Sequence, residues 1–179
     1  LGLAGVERLD IETQQSGATV TLSGTLPGDV GITNKGLGHN LALAGLQAGM
    51  RLAVTDFGGG TLTAGSTAAI GGTDPLTLLL TDAQFSFAST AFEELFIDST
   101  GSVANSIGLA GVSGVLQYNV EATADLVVTG LADFLGSFNW LHSNANVTMS
   151  AANLANAQDW HVNLVDAFLP MLTVNHGAG

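Results

Sequence analysis

Fifteen aspartates and glutamates face three cations, Arg8, Lys35 and Arg51, in a chain of 179 residues with a formal net charge of −12. The acids fall mainly at strand ends and turns, so they require a counter-charge. Calcium supplies one, taking six to eight oxygens from Asp, Asn and turn carbonyls in flexible geometry. Two stretches suit that chemistry in part. Thr55-Asp56-Phe57-Gly58-Gly59-Gly60-Thr61-Leu62 and Gly71-Gly72-Thr73-Asp74-Pro75-Leu76-Thr77-Leu78 each place an Asp in a glycine-rich turn beside a strand. Neither contains the full Gly-Gly-x-Gly-x-Asp-x-(apolar)-x unit that binds calcium in a parallel β-roll. Each such Asp therefore stands either as a calcium ligand or as a solvated turn residue.

Other chemistries are poorly represented. The four histidines, His39, His142, His161 and His176, show no metal-ligand spacing of the His-x-x-x-His kind. With no cysteine there is no thiol nucleophile, disulfide or zinc-cysteine site. Serines are plentiful, but no Gly-x-Ser-x-Gly elbow locates a nucleophile. No Gly-Lys-Ser/Thr follows the glycine runs, which excludes a phosphate loop of that type. Three dispersed cations form no basic patch, so nucleic acid is excluded as a partner and an anionic membrane surface repels the chain. The longest apolar candidate for a membrane helix, from Leu41 to Val54, is interrupted by Gln47, two glycines and Arg51. The residues point to a protein that is not an enzyme.

The elements that hold these residues read as strands. Gly, Thr, Asn, Ser and Val are spread throughout, and long helix-favouring surface residues are scarce. Short alternating or apolar pieces recur at Arg8–Ile11, Ala18–Leu22, Asn40–Ala44, Arg51–Val54, Thr61–Thr63, Leu76–Thr81, Leu95–Ile97, Val115–Val120, Asp125–Val128, Asn146–Met149 and Trp160–Leu164, with turn formers between them. Ala88 to Glu94 and Ala132 to Leu141 are expected to close into short helical turns. The fold class is all-β.

The chain also resembles itself. Val6-Glu7-Arg8-Leu9-Asp10-Ile11-Glu12-Thr13 lines up with Phe92-Glu93-Glu94-Leu95-Phe96-Ile97-Asp98-Ser99, Asn40 to Leu46 with Asp125 to Leu131, Thr61 to Thr63 with Asn146 to Thr148, and Leu80 to Ala83 with Leu164 to Ala167. Ordered blocks at a nearly constant offset indicate a tandem duplication of about 85 residues, with copies at 5–90 and 91–176. Strand pairs recur within each copy at roughly 20 residues, the length of one solenoid coil. The expected coils are Val6–Leu26, Pro27–Leu46, Gln47–Thr67 and Ala68–Ser89, stacking Leu9, Ile11, Val20, Leu22, Leu41 and Leu43 inward. Such a narrow column fills with Ala, Val, Leu and Ile, which agrees with a content of only 6% aromatic residues. The expected architecture is a parallel β-solenoid. Two β-sandwich domains are the alternative, because turns every 8–12 residues suit them too, while a membrane barrel lacks its girdle of Tyr and Trp.

The block Val6 to Ile11 leading to Val20-Thr21-Leu22-Ser23-Gly24, its echo Phe92 to Ser99, and the run Gly71 to Ala83 resemble the Thr/Ala/Gly-rich repeats of RTX-type S-layer proteins and large RTX surface exoproteins of Gram-negative bacteria. The resemblance implies a calcium-dependent β-solenoid that is secreted without a cleaved signal and assembles into a surface layer. The absence of intact nonapeptide repeats departs from that pattern. Candidate calcium ligands are Asp56, Asp74, Asp82 and Asp98. The expected role is that of a non-enzymatic extracellular structural protein at the cell surface, with copies of itself as partners and cell-surface polysaccharide as a further one. An adhesin or biofilm-matrix protein binding glycan or protein is the alternative, and a polysaccharide-active β-helix enzyme the third reading. Because it opens at Leu1 rather than Met, the chain reads as a fragment of something longer.

Overall fold

The computed structural model describes residues 7–23, 28–34, 38–66, 73–131, 137–140, 143–151, 161–164 and 171–176. All regular structure among them is strand. In chain order the strands are β1 (Arg8–Glu12), β2 (Ala18–Thr21), β3 (Asp29–Thr33), β4 (Leu41–Leu46), β5 (Met50–Thr55), β6 (Gly58–Ser66), β7 (Pro75–Thr81), β8 (Gln84–Ser89), β9 (Glu94–Thr100), β10 (Asn105–Val112), β11 (Gln117–Ala122), β12 (Leu126–Leu131), β13 (Ser137–Trp140), β14 (Val147–Ala151), β15 (His161–Leu164) and β16 (Leu172–His176). Odd-numbered strands form one eight-stranded sheet and even-numbered strands the other, each in chain order. Every pairing is parallel. Parallel neighbours need a crossover, usually a helix. Here the crossover from one strand to its neighbour is a strand of the opposite sheet, so the chain winds as a β-solenoid and the two sheets bury their inner faces against each other. The expected coils from Val6 to Ser89 each hold one strand of each sheet, and the two-sandwich alternative is not what the chain forms.

Alternation builds the core. In the first sheet one inward row runs Leu9, Val30, Leu52, Leu78, Ile97, Val120 and Trp140 through successive registers. From Val30 onward these residues are at most 2% exposed. Phe57, Phe87, Phe92 and Phe138 are the largest fully buried side chains, and the rings of Phe57 and Phe85 meet at 5.1 Å, tilted by 46°. Burying one such side chain contributes roughly 1.5–3 kcal/mol.

The second sheet departs from strict alternation in a regular way. Its register shifts between Leu43 and Leu46 in β4, between Gly108 and Gly111 in β10, and between Val128 and Leu131 in β12. Each shift inserts one residue, which returns Leu46, Val112 and Leu131 to the core at 0%, 5% and 1% exposure. The bulges in β4 and β12 rest on glycine at positive φ, Gly45 at 86° and Gly130 at 68°. A Cβ on Gly45 would collide with the Leu22 carbonyl oxygen, so no other residue fits there without a backbone shift.

Two expectations about local structure need correction. The segment from Ala88 to Glu94, expected as a helical turn, finishes strand β8, turns a corner at Thr90 and opens β9. The small residues at its start belong to an alternating strand, Gln84-Phe85-Ser86-Phe87-Ala88-Ser89, which buries Phe85, Phe87 and Ser89. In Ala132 to Leu141, residues Ser137–Trp140 form β13, while 132–136 and 141 lie outside the described residues. The aligned blocks fall on strands of one sheet each time, as any offset of whole coils requires: β1 and β9 and also β7 and β15 belong to the first sheet, β4 and β12 and also β6 and β14 to the second, while 165–167 lie outside the described residues.

Candidate functional site

The corners and outer faces carry the polar groups. Asp56 follows β5 and Asp82 follows β7, both at positive φ, 51° and 52°. Since Thr55 pairs with Thr81, the two aspartates occupy the same corner in neighbouring coils. Short polar side chains tolerate this left-handed conformation better than others. The Asp82 carboxylate accepts hydrogen bonds from the backbone N–H groups of Val103 and Ser102, both at 2.8 Å, on the following coil. Those two donors hold its carboxyl below the usual carboxylate range. Asp82 thus acts as a corner cap between coils, with its charge already served by backbone dipoles.

Asp74 and Asp98 stand elsewhere. Asp74 precedes β7, at the opposite end of that strand from Asp82; its N–H donates to Glu93 Oε2 at 3.0 Å and its carbonyl accepts from the N–H groups of Glu93 and Glu94. Asp98 sits mid-strand on the outer face of the first sheet, in register with Leu79 on one side and Glu121 on the other. Partial burial raises its pKa, the adjacent Glu121 carboxylate raises it further, and Arg51 lowers it. The four candidate ligands are therefore distributed over two corners and a face. Among the described residues no three His, Asp or Glu side chains come together in a metal-holding group.

The corner of Asp56 and Asp82, where the chain passes from a first-sheet strand to a second-sheet strand, also holds residues that the sequence pattern did not single out. Asn40 Oδ1 accepts from Thr61 N–H at 2.8 Å, Asp125 Oδ1 from Asn146 N–H at 2.9 Å, and Asn146 Oδ1 from Met171 N–H at 3.1 Å. Each of these side chains lies just before a strand of the second sheet and bonds one coil ahead. Asn105 reaches backward instead: its Oδ1 accepts from Ala83 N–H at 2.7 Å. Backbone bonds such as Gly17 N–H to Asn40 O and Leu126 N–H to Asn146 O run beside them. The signal in the sequence was an Asn or Asp immediately before an apolar strand, at Asn40, Asp125 and Asn146, with 21 residues between the bonded positions of Asn40 and Thr61 and of Asp125 and Asn146.

The two outer faces differ chemically. Every Asp, Glu or Arg within a described strand belongs to the first sheet: Arg8, Asp10, Glu12, Asp29, Arg51, Glu94, Asp98 and Glu121. Arg8 Nε donates to Asp10 Oδ1 at 2.8 Å, and Arg51 approaches Asp29 at 3.9 Å. A Cβ on Gly31, in register with Asp10, would run into the Asp10 carboxylate, so the glycine makes room for that pair. Further along the same face Glu94 Oε1 accepts from Gln117 Nε2 at 3.0 Å and Asn119 Nδ2 at 2.8 Å, and Asn139 Nδ2 donates to Asn119 Oδ1 at 2.7 Å. Phe96, partly exposed, lies in register between Thr77 and Asn119 in this row. The described strands of the second sheet contain no Asp, Glu, Lys or Arg and turn Thr19, Thr21, Ala42, Thr63, Ser86, Ser106 and Thr129 outward. The described residues include no helix long and apolar enough to cross a membrane. No protein-family model, curated protein or solved structure matches the chain.

Proposed function

We propose that this chain is a non-enzymatic structural segment of an extracellular, surface-layer-like assembly. The observation that carries the reading is the division of the rod into two unlike faces, one bearing the strand charges and one uncharged and small-residued, along a column tied together coil by coil. A layer needs a rigid unit with two distinguishable sides; a long parallel column with stacked corners supplies it. Stability in such columns comes from nearest-neighbour coil contacts, so the unit extends without a new core. The resemblance to RTX-type surface proteins points the same way.

Calcium enters this reading as the counter-charge for the acidic surface, with Asp56, Asp74, Asp82 and Asp98 the candidates among the carboxylates. Asp98 beside Glu121 is the place where like charges crowd most, and a divalent ion relieves that repulsion. The test is negative-stain electron microscopy of the purified chain across a calcium titration and with chelator. Ordered sheets that form with calcium and dissolve on chelation support the proposal. Dispersed particles at every calcium concentration overturn it.

A second reading, a glycan-binding adhesin, is favoured by one feature: Phe96 in a row with Asn119 and Asn139 on the first sheet. A partly exposed ring on a polar outer face suits the apolar face of a sugar. Glycan-array binding abolished by Phe96→Ala, in particles that do not assemble, supports that reading over the layer.

A further inference from the structure

Water tolerates charge at the outward positions of a solenoid, and the described strands of the first sheet carry eight charged side chains. Those of the second sheet contain no Asp, Glu, Lys or Arg at all. The contrast holds in the middle of the column, where β4, β6, β8, β10 and β12 each have a described neighbour on both sides. One outward row runs Thr61, Ser86, Gly108 and Thr129 through successive registers. The rows beside it are again of Ala, Gly, Ser and Thr, with Gln84 and Val127 the largest side chains. Thr63, Ser86 and Thr129 are exposed, so the middle of this face is open. A Cβ on Gly108 would lie 3.3 Å from Ser86 Oγ and 3.5 Å from Thr129 Oγ1. The two hydroxyls therefore lean over the glycine, and the row keeps little relief.

That chemistry narrows what can sit there. With no cation on the face, anionic lipid and nucleic acid find no counter-charge, and with no aromatic ring a sugar finds no stacking surface. A low-relief surface of small residues is the shape complement of another like it, and sheets meet face to face at about 10 Å. Ala and Gly have no rotamer freedom to lose on contact. Charge points to the same occupant. Two copies that each carry a net charge of −12 repel wherever acids meet acids, whereas the second sheet lets them touch without taking a strand carboxylate out of water. The size is adequate as well. With strands about 4.8 Å apart and about 3.3 Å per residue, eight strands present a face of roughly 35 by 20 Å, or about 700 Å², against the roughly 800 Å² per partner of a standard stable interface.

We infer that the outer face of the second sheet packs against the same face of a second copy, related by a two-fold axis between them. The inference rests on the structural-assembly reading and deepens it by naming the first contact. Such an interface is isologous and closes at two copies. The result is a slab of four sheets with a charged face on each outer side, where calcium then joins one slab to the next.

Sedimentation velocity of the full chain in chelator separates this contact from any that calcium makes. The expected mass is that of two chains, rising from one with concentration and undiminished by sodium chloride, because the contact holds no ion pair. Ser86→Glu and Thr129→Glu each put a carboxylate at an exposed outward position, and circular dichroism checks that strand content is kept. Each should weaken dimerisation by about tenfold or more, since like charges juxtaposed across an interface oppose it. Ala48→Glu adds the same charge at an exposed corner and should leave dimerisation close to the wild type. A second measurement adds no charge. The chain has no cysteine, and β8 stands beside the middle of its sheet, so in a centred pair Ser86 of one copy lies over β8 or β10 of the other, across a sheet spacing of about 10 Å. A short bismaleimide should join Ser86→Cys chains to each other and leave Ala48→Cys chains single. A wild type that stays monomeric at millimolar concentration in chelator overturns the inference, as do equal linking of the two cysteine variants and a dimer that Ala48→Glu weakens as much as Ser86→Glu. A monomer that a polysaccharide retains and Ser86→Glu releases also overturns it and assigns the face to a glycan. Calcium-grown sheets from a chain that is monomeric in chelator overturn the inference while sparing the layer reading. Dimers in chelator with no sheets at any calcium concentration uphold the inference and overturn that reading.

Discussion

Asn105 is the side chain whose removal reports most directly on coil-to-coil locking. It is fully buried, at 0% exposure, and makes three hydrogen bonds: Ala83 N–H to its Oδ1 at 2.7 Å, and its Nδ2 to Ser99 Oγ at 2.9 Å and to Thr100 O at 2.8 Å. In Asn105→Ala the Ala83 N–H loses its acceptor inside the protein, since Ala83 is itself at 0% exposure. That orphaned donor costs about 1–3 kcal/mol. Ser99 Oγ keeps a role as donor to Ala124 O at 2.8 Å, so its loss is smaller, and Thr100 O forfeits a bond worth about 1 kcal/mol. Together these losses come to about 3 kcal/mol. Because each coil contacts only its neighbours, the loss should concentrate in β7 to β10 rather than spread over the column. Urea denaturation followed by circular dichroism gives the total, and amide hydrogen exchange at Ala83 and Ser106 gives its place. A loss under about 1 kcal/mol, or exchange that accelerates equally at β3 and at β9, would refute the view that corner side chains lock successive coils.

Two further outcomes follow from the same geometry. Because Asp98 has a pKa raised in the folded chain, its contribution to stability is present below the ordinary carboxylate range and is lost as pH rises through its folded value. Glu121→Gln removes one cause of that shift, so the variant should exceed the wild type at pH 7 by roughly 0.5 kcal/mol, given the partial exposure of the pair, and the difference should vanish near pH 3; a thermal melt at several pH values reads it, and an advantage unchanged at pH 3 counts against the assignment. Gly45→Ala should cost about 2 kcal/mol or more, from its positive φ and the Leu22 carbonyl in the way, whereas Gly65→Ala, whose added Cβ meets nothing closer than 3.6 Å, should stay within about 0.5 kcal/mol of the wild type; equal costs in a denaturant titration would show that the bulge does not require glycine.

The solenoid was legible because coil length is a long-range regularity. A spacing of roughly 20 residues survives local irregularities, and Leu41 and Leu43 fell inward as alternation demands. Five strands escaped, β3, β8, β10, β13 and β16, and in two of them the alternation is broken for structural reasons. Asp29–Thr33 contains Gly31, which reads as a turn residue but makes space for the Arg8–Asp10 pair. Asn105–Val112 carries Gly108 and Gly111 around a bulge, so its apolar residues Ile107, Leu109 and Val112 do not keep a period of two. In both cases glycine answers a tertiary contact that has no trace in nearby sequence.

The candidate site was less legible for a different reason. Sequence proximity to glycine picked out Asp56 and Asp74 as ligands in loose turns, yet corner residues of a stacked column face the next coil as much as the solvent. Asp82 shows the consequence: its carboxylate is taken up by two N–H groups of the following coil, 20 and 21 residues away, and those donors lower its pKa. The same turn chemistry that suggests a metal ligand, a short acid at positive φ, also makes a good cap for stacked backbone. Which of the two an Asp performs depends on whether the following coil presents donors or carboxylates beside it. At Asp82 it presents donors; at Asp98 it presents Glu121, and it is there, on the charged face, that an added cation would relieve a repulsion that Arg51 offsets only in part.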